Sequence, residues 1–154
     1  MMNKAFLAAS ISVVMAMPAL AEMSIEEQIE TRQSAYQFAA WNGKKIKAWA
    51  LEGSDEYTEQ DIIAAANAIA AVANSGMDAL FTRDSANDRA ENTYLKPNFF
   101  TETDNVRKLA IRFSQESIEL QQVAGDGDRD VVAKQFNKVV DTCKSCHDAY
   151  RADR

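Results

Sequence analysis

Apolar residues recur every three or four positions along four stretches of this chain, which is the spacing of one face of an α-helix. The stretches run from about Ser24 to Leu51, Glu59 to Thr82, Glu102 to Ala124 and Arg129 to Ala152. No stretch of the sequence shows the alternation of β-branched and polar residues that is typical of strands. The pattern predicts an all-α fold, an antiparallel four-helix bundle in which each helix turns one apolar stripe to the core.

Local signals mark the ends of these helices. Ser24 with Glu27, and Thr58 with Asp61, have the spacing of capping boxes that open the first and second helices. Gly53 is expected to end the first helix. The stripe of that helix predicted to face inward comprises Ile25, Ile29, Tyr36, Ala39, Gly43, Ile46 and Ala50.

The connection between the second and third helices, from about Arg83 to Thr101, is longer than an ordinary bundle loop. It could fold over the bundle, with Tyr94, Phe99 and Phe100 as anchors, or form a mobile surface segment. The three aromatic residues favour the first interpretation.

The first 21 residues have the features of a secretory signal peptide. Lys4 gives a positive start, Ala5 to Met17 form an apolar run, and Ala19-Leu20-Ala21 is a small-residue cleavage site. The apolar run is shorter than the roughly 20 residues that cross a membrane. We expect residues 1–21 to be removed and residues 22–154 to form one exported domain, although a buried N-terminal helix is the alternative.

The chain is acidic, with a formal charge of −6 that becomes −7 once Lys4 leaves with the signal peptide. This charge argues against nucleic acid and anionic membranes as partners. It can serve solubility, or it can attract a basic redox partner.

The stretch from Cys143 to His147 reads C-K-S-C-H, the attachment signature of a c-type haem. Two thiols three residues apart lie about one turn apart on a helix, so each can add to one vinyl group on a haem edge. His147 follows directly and can bind the iron, as proximal histidines do. The motif predicts one covalently bound haem c per chain, held by Cys143, Cys146 and His147.

Other uses of the two cysteines explain less. A redox-active dithiol usually belongs to a βαβ unit, which this helical pattern lacks. A structural zinc site needs four ligands, and the chain has two Cys and one His. A plain disulfide would not explain why the one histidine directly follows the second cysteine.

With this motif almost at its C-terminus, the chain resembles the cytochrome c′ family. Arg32-Gln33 resembles the family's Arg-Gln pair, whose side chains lie near the haem propionates. The segment from Lys96 to Phe100 resembles the segment before the family's third helix, and Arg151 matches a basic residue beside the proximal face of the haem. The resemblance covers the whole mature chain.

The resemblance implies a left-handed bundle, usually a homodimer, located in the periplasm, where haem is attached. It implies five-coordinate, high-spin iron with His147 as its one protein ligand. Aligned on Arg32-Gln33, Tyr36 lies in the distal pocket, one turn beyond Arg32 on the same helical face. In the family this pocket admits nitric oxide and carbon monoxide and excludes larger ligands.

The sequence contains few side chains that could bind the iron at a sixth coordination position. Four of the six methionines lie in residues 1–21, Met23 precedes the first helix, and Met77 is placed where a methionine usually fills a core gap. Tyr36 could bind iron as a phenolate, but its unperturbed pKa is about 10. We expect Tyr36 to act as a steric lid over an open site.

An open iron site with an apolar distal side predicts a gas-binding protein, for which nitric oxide scavenging or protection is a candidate role, and no enzyme. Peroxidase or oxygenase chemistry would use a distal acid–base group, and the sequence holds no second histidine. The alternative is an electron-transfer cytochrome of a respiratory or photosynthetic chain. An open iron site counts against the electron-transfer role, because fast electron transfer favours iron whose coordination is the same in the oxidised and reduced states.

Overall fold

The computed structural model describes residues 23–153, so the predicted signal peptide lies outside the described residues. Within that range the chain forms four long helices: α1 Ile25–Ile46, α2 Glu59–Ala73, α3 Thr103–Ala124 and α4 Arg129–Tyr150. Each helix packs against the next in sequence, and α4 returns to the end of the first helix. The predicted all-α four-helix bundle is confirmed. None of the helices in residues 23–153 has the length and apolar character needed to cross a membrane.

Both predicted capping boxes are present. The Ser24 hydroxyl accepts from the Glu27 amide while the Glu27 carboxylate accepts from the Ser24 amide, and Thr58 and Asp61 exchange the same pair of bonds. The first helix reaches Leu51 as expected, but its last five residues, Lys47–Leu51, form a π-helical turn. Gly53 follows with a φ of 68°, a left-handed conformation that glycine adopts without strain.

The π-helical turn changes which residue enters the core. The sequence pattern places Ala50 inward, but the wider turn buries Trp49 instead, and Ala50 packs at the margin. Arg129, the first residue of α4, lies over the Trp49 ring at 4.7 Å and donates to Asp55. This contact closes the bundle between its first and last helices.

The core lies in the half of the bundle that contains this turn. Its large members are Ile46, Trp49, Ile62, Ile69, Leu120, Val132, Phe136 and Val139. Ala65, Ala66 and Ala70 of the alanine-rich α2 are buried among them, while Ala64 and Ala71 are exposed. The small side chains therefore let α2 pack closely inside the bundle.

The predicted end of the second helix, near Thr82, is wrong. Helix α2 stops at Ala73, because the Asn74 side chain donates to the Ala70 carbonyl and Gly76 takes a φ of 75°. A short 3₁₀ turn, Met77–Leu80, follows. The apolar pattern continues through that turn because Met77 and Leu80 remain half-buried.

The connection between α2 and α3 folds over the bundle, as its aromatic residues suggest. Leu95 pairs with Arg151 in an isolated antiparallel bridge, and the Lys96 amide donates to the Tyr150 carbonyl at 2.9 Å. Phe99 stacks on Phe81 at 5.0 Å and meets Tyr150 edge-on at 5.6 Å. The segment thereby joins the start of α1 to the end of α4.

Two details of this connection differ from expectation. Tyr94 lies near the surface, with the Arg151 guanidinium 5.8 Å from its ring. It therefore contacts the segment after α4 and is not part of the buried core. Phe81, which the sequence assigned to the second helix, joins the aromatic cluster instead. Helix α4 also ends at Tyr150, since the residues after it are extended and pair with the connection.

Candidate cofactor site

The C-x-x-C-H motif occupies the last two turns of α4. Cys143 and Cys146 are free thiols one turn apart, and His147 follows on an exposed part of the helix. Burial raises the pKa of both thiols. Val140, Cys143 and His147 share one face of α4, because they are spaced by about one helical turn.

Tyr36 lies on α1 opposite this motif. The two helices run antiparallel and touch where the Phe136 ring contacts Gly43, about 3.5 Å from the position of a Cβ there. Tyr36 lies two turns before Gly43 on α1, and Cys143 lies two turns after Phe136 on α4. In antiparallel helices these two steps lead in the same direction. The two residues therefore face each other across a groove between α1 and α4.

The electrostatics of Tyr36 agree with this placement. Burial, and to a smaller extent the nearby Cys146 and Cys143, raise the pKa of Tyr36 to about 12, while Arg32 opposes this rise. The phenol therefore stays neutral well above neutral pH. Its ring meets Phe81 edge-on at 6.4 Å and an interplanar angle of 65°.

The groove has the features of a haem site. Tyr36 is 39% exposed and Val140 is 43% exposed, so large side chains beside the thiols lack a cover in the protein alone. A flat apolar macrocycle would cover them, with two thiols and an imidazole at hand on α4. Among residues 23–153, no group of three or more His, Cys, Asp and Glu side chains is arranged to hold a bare metal ion.

Arg32 lies beneath the connection between α2 and α3. Only 4% of the residue is exposed, and its two terminal nitrogens donate four hydrogen bonds. The acceptors are Leu80 O at 3.0 Å, Ser85 Oγ at 2.5 Å, Ser85 O at 2.9 Å and Thr93 Oγ1 at 2.8 Å. Burial lowers the pKa of this guanidinium. The structure thus gives Arg32 a structural duty that sequence reasoning missed, and its contact with a haem propionate stays a prediction.

Gln33 and Arg151 both contact the connection between α2 and α3. The Gln33 amide donates to the Asn92 carbonyl at 2.8 Å, so its propionate role also stays a prediction. Arg151 caps α4, its amide donating to the His147 carbonyl at 3.0 Å. Partial burial of the ring lowers the pKa of His147, Arg151 lowers it further, and Asp148 opposes both. The Arg151 charge thus disfavours the protonated imidazole, and its role beside the proximal face of a haem stays a prediction.

A buried tyrosine behind the motif was also missed as a functional feature. Tyr150, three residues after His147, donates to Glu102 at 2.9 Å and accepts from Asn105 at 2.7 Å. The sequence marks Tyr150 as inward, but its polar partners come from the start of α3. They fix the end of α4 that carries the motif.

Comparison with known proteins agrees with this geometry. The family described as Cytochrome C′ matches residues 27–151. The cytochrome c′ of Allochromatium vinosum is 46% identical over 133 residues, which are 86% of this chain and 84% of that protein. A solved cytochrome c′ with ligand-controlled dimer dissociation is 43% identical with a TM-score of 0.78, and the match covers 86% of this chain and all of that one.

More distant structures share the fold. Cytochromes c′ from Alcaligenes xylosoxidans, 22% and 23% identical, superpose with a TM-score of 0.73 over 85% and 84% of this chain and 98% of theirs. One of them holds nitric oxide and another carbon monoxide. The family match across most of the chain, the close relatives and the shared bundle lead to one conclusion: this chain belongs to the cytochrome c′ family of haem-binding cytochromes.

Proposed function

We propose that the mature protein, residues 22–154, is a periplasmic cytochrome that binds nitric oxide and carbon monoxide at five-coordinate, high-spin iron. The observation that supports this best is the position of Tyr36, whose neutral phenol faces the C-x-x-C-H turn of α4. His147 is the one histidine of the chain. Met77 lies in the turn after α2 and Met23 precedes α1, and we expect neither to act as a second ligand.

One haem c would be held by thioethers to Cys143 and Cys146, with His147 as the axial ligand. The bound haem would supply iron chemistry suited to a small diatomic gas. Arg151 lowers the proton affinity of His147, which keeps the imidazole available as a ligand. Gln33 and Arg32 are the residues we expect to contact the propionates.

Tyr36 would select ligands by size. Its ring would occupy the volume next to the open coordination position, so an entering ligand must displace it. Displacement costs free energy because packed rings resist movement. The gas-bound structures of Alcaligenes xylosoxidans cytochromes c′ support a gas ligand of this kind.

The function is tested by carbon monoxide titration of the ferrous protein and its Tyr36→Ala variant. We expect the variant to bind carbon monoxide more tightly, by on the order of tenfold if about 1.4 kcal/mol of strain is relieved. Ile118→Ala is the matched control, because Ile118 is an apolar residue that is 40% exposed on α3, which is neither helix of the groove. Its affinity should equal that of the wild type.

Two results would contradict the proposal. Equal affinities in wild type and Tyr36→Ala would show that Tyr36 is no lid. A low-spin, six-coordinate ferric spectrum in the ligand-free wild type, measured by electron paramagnetic resonance, would instead favour the electron-carrier alternative.

The protein would also form a homodimer through the outer face of α1. Phe38 and Trp41 stack there at 5.9 Å with about half of each exposed, and the Lys45 ammonium lies 3.5 Å from the Trp41 ring centre. Exposed aromatic pairs are typical of interfaces, and a relative 43% identical to this chain dimerises.

Trp41→Glu should raise the dimer dissociation constant at least roughly tenfold in sedimentation equilibrium, because it places a charge in an aromatic contact. Ile111→Glu on α3, an equally exposed apolar position, is the control and should leave the dissociation constant unchanged. If Trp41→Glu had the same dimer dissociation constant as the wild type, this face of α1 would not be the dimer interface.

A further inference from the structure

Phe81, in the connection between α2 and α3, is an aromatic contact of Tyr36. The Tyr36 ring meets it edge-on at 6.4 Å, and Phe99 covers it in a stacked arrangement at 5.0 Å and 18°. The Arg32 guanidinium lies 4.9 Å from the centre of the same ring. Phe81 is therefore enclosed by an aromatic ring and a buried cation on the sides away from Tyr36.

These neighbours are themselves fixed. Phe99 lies in the 3₁₀ turn Pro97–Phe100 and contacts Phe100 at 5.2 Å and the buried Tyr150 at 5.6 Å. Arg32 is held by four hydrogen bonds, one of them to the carbonyl of Leu80, the residue before Phe81. The Phe81 amide donates to Asp78 at 3.0 Å. The contacts with Phe99 and Arg32 and this backbone hydrogen bond therefore restrict movement of Phe81 away from Tyr36.

We propose that Phe81 is a positioning residue that acts as a backstop for Tyr36 and so sets how large a ligand the distal pocket accepts. This inference rests on the proposed role of Tyr36 as a lid. A ligand that pushes the Tyr36 ring toward the connection must also move Phe81, Phe99 and Arg32. The resistance of the lid would then come from the α2–α3 connection as well as from α1.

The test is a double-mutant cycle on the haem-loaded protein, with Phe81→Ala, Tyr36→Ala and the double variant. Phe81→Ala should raise carbon monoxide affinity roughly fivefold, because Tyr36 gains room to move. The double variant should bind no more tightly than Tyr36→Ala alone. Phe81→Leu, which refills most of the volume, should return the affinity toward the wild-type value.

A spectroscopic measurement separates positioning from general loosening. In the ferrous carbon monoxide complex, the ¹³C-tyrosine signal of Tyr36 should shift in Phe81→Ala and return in Phe81→Leu. Phe100→Ala is the matched control, because Phe100 contacts Phe99 in the same cluster. It should lower thermal stability while changing the affinity and the Tyr36 signal much less than Phe81→Ala does, because Phe100 reaches Phe81 only through Phe99.

The outcomes distinguish this inference from the proposed function. If Tyr36→Ala binds more tightly but Phe81→Ala behaves as wild type, the lid stands and the backstop is wrong. Additive effects in the double variant, or an equal effect of Phe100→Ala, also overturn the backstop. If Tyr36→Ala itself equals the wild type, both proposals are wrong.

Discussion

Replacing both Cys143 and Cys146 by alanine is expected to abolish covalent haem attachment. The two thiols are one helical turn apart on α4, and each would supply one thioether. Without them only the His147–iron bond and apolar contacts would retain the haem. Acidic acetone disrupts both, so haem should pass completely into the organic phase. Mass spectrometry of the denatured wild type should show the mass of one haem added to the chain.

The single variants keep this prediction testable if the double variant folds poorly. Cys143→Ala and Cys146→Ala should each retain one thioether and resist extraction. Ser145→Ala is the matched control, since Ser145 lies between the two cysteines and its hydroxyl bonds to the Asp141 carbonyl at 2.7 Å. It should carry haem as the wild type does. Covalently bound haem in the double variant would show that attachment uses another residue.

The sequence predicts well those features that depend on neighbours along the chain. The capping boxes and the helical stripes are local, because they require residues three or four positions apart. The cofactor motif is local in the same sense, since Cys143, Cys146 and His147 lie within two turns. The starts of α2 and α4 and the end of α3 fall within a residue of expectation.

The features that the sequence did not predict depend on distant partners. Trp49 enters the core through a π-helical turn, which interrupts the period from which inward positions were counted. Met77 and Leu80 continue the spacing of apolar residues, although they lie in a 3₁₀ turn, so the sequence pattern extends past the end of α2. Phe81 acquires its role from Tyr36 and Phe99 only after the connection has folded back.

Arg32 also owes its role to partners that are distant along the chain. We expect its replacement to lower the stability of the protein strongly. Arg32→Ala would leave buried acceptors on Leu80, Ser85 and Thr93 without their donor. Buried groups that lose a charged partner cost roughly 1–3 kcal/mol each when water does not replace it. We expect the free energy of unfolding to fall by about 3 kcal/mol.

Urea denaturation of the haem-loaded protein, followed by circular dichroism, measures this loss. Arg32→Lys keeps the charge but lacks the planar fork that reaches several acceptors at once, so most of the loss should remain. Arg107→Ala is the matched control, because Arg107 is exposed and its one ion pair, to Asp104, is at the surface; it should change stability by less than about 0.5 kcal/mol. If Arg32→Ala were as mild as Arg107→Ala, the α2–α3 connection would be held chiefly by its aromatic cluster. The four hydrogen bonds would then contribute little to the fold, and Arg32 would be left with its predicted role at the propionates.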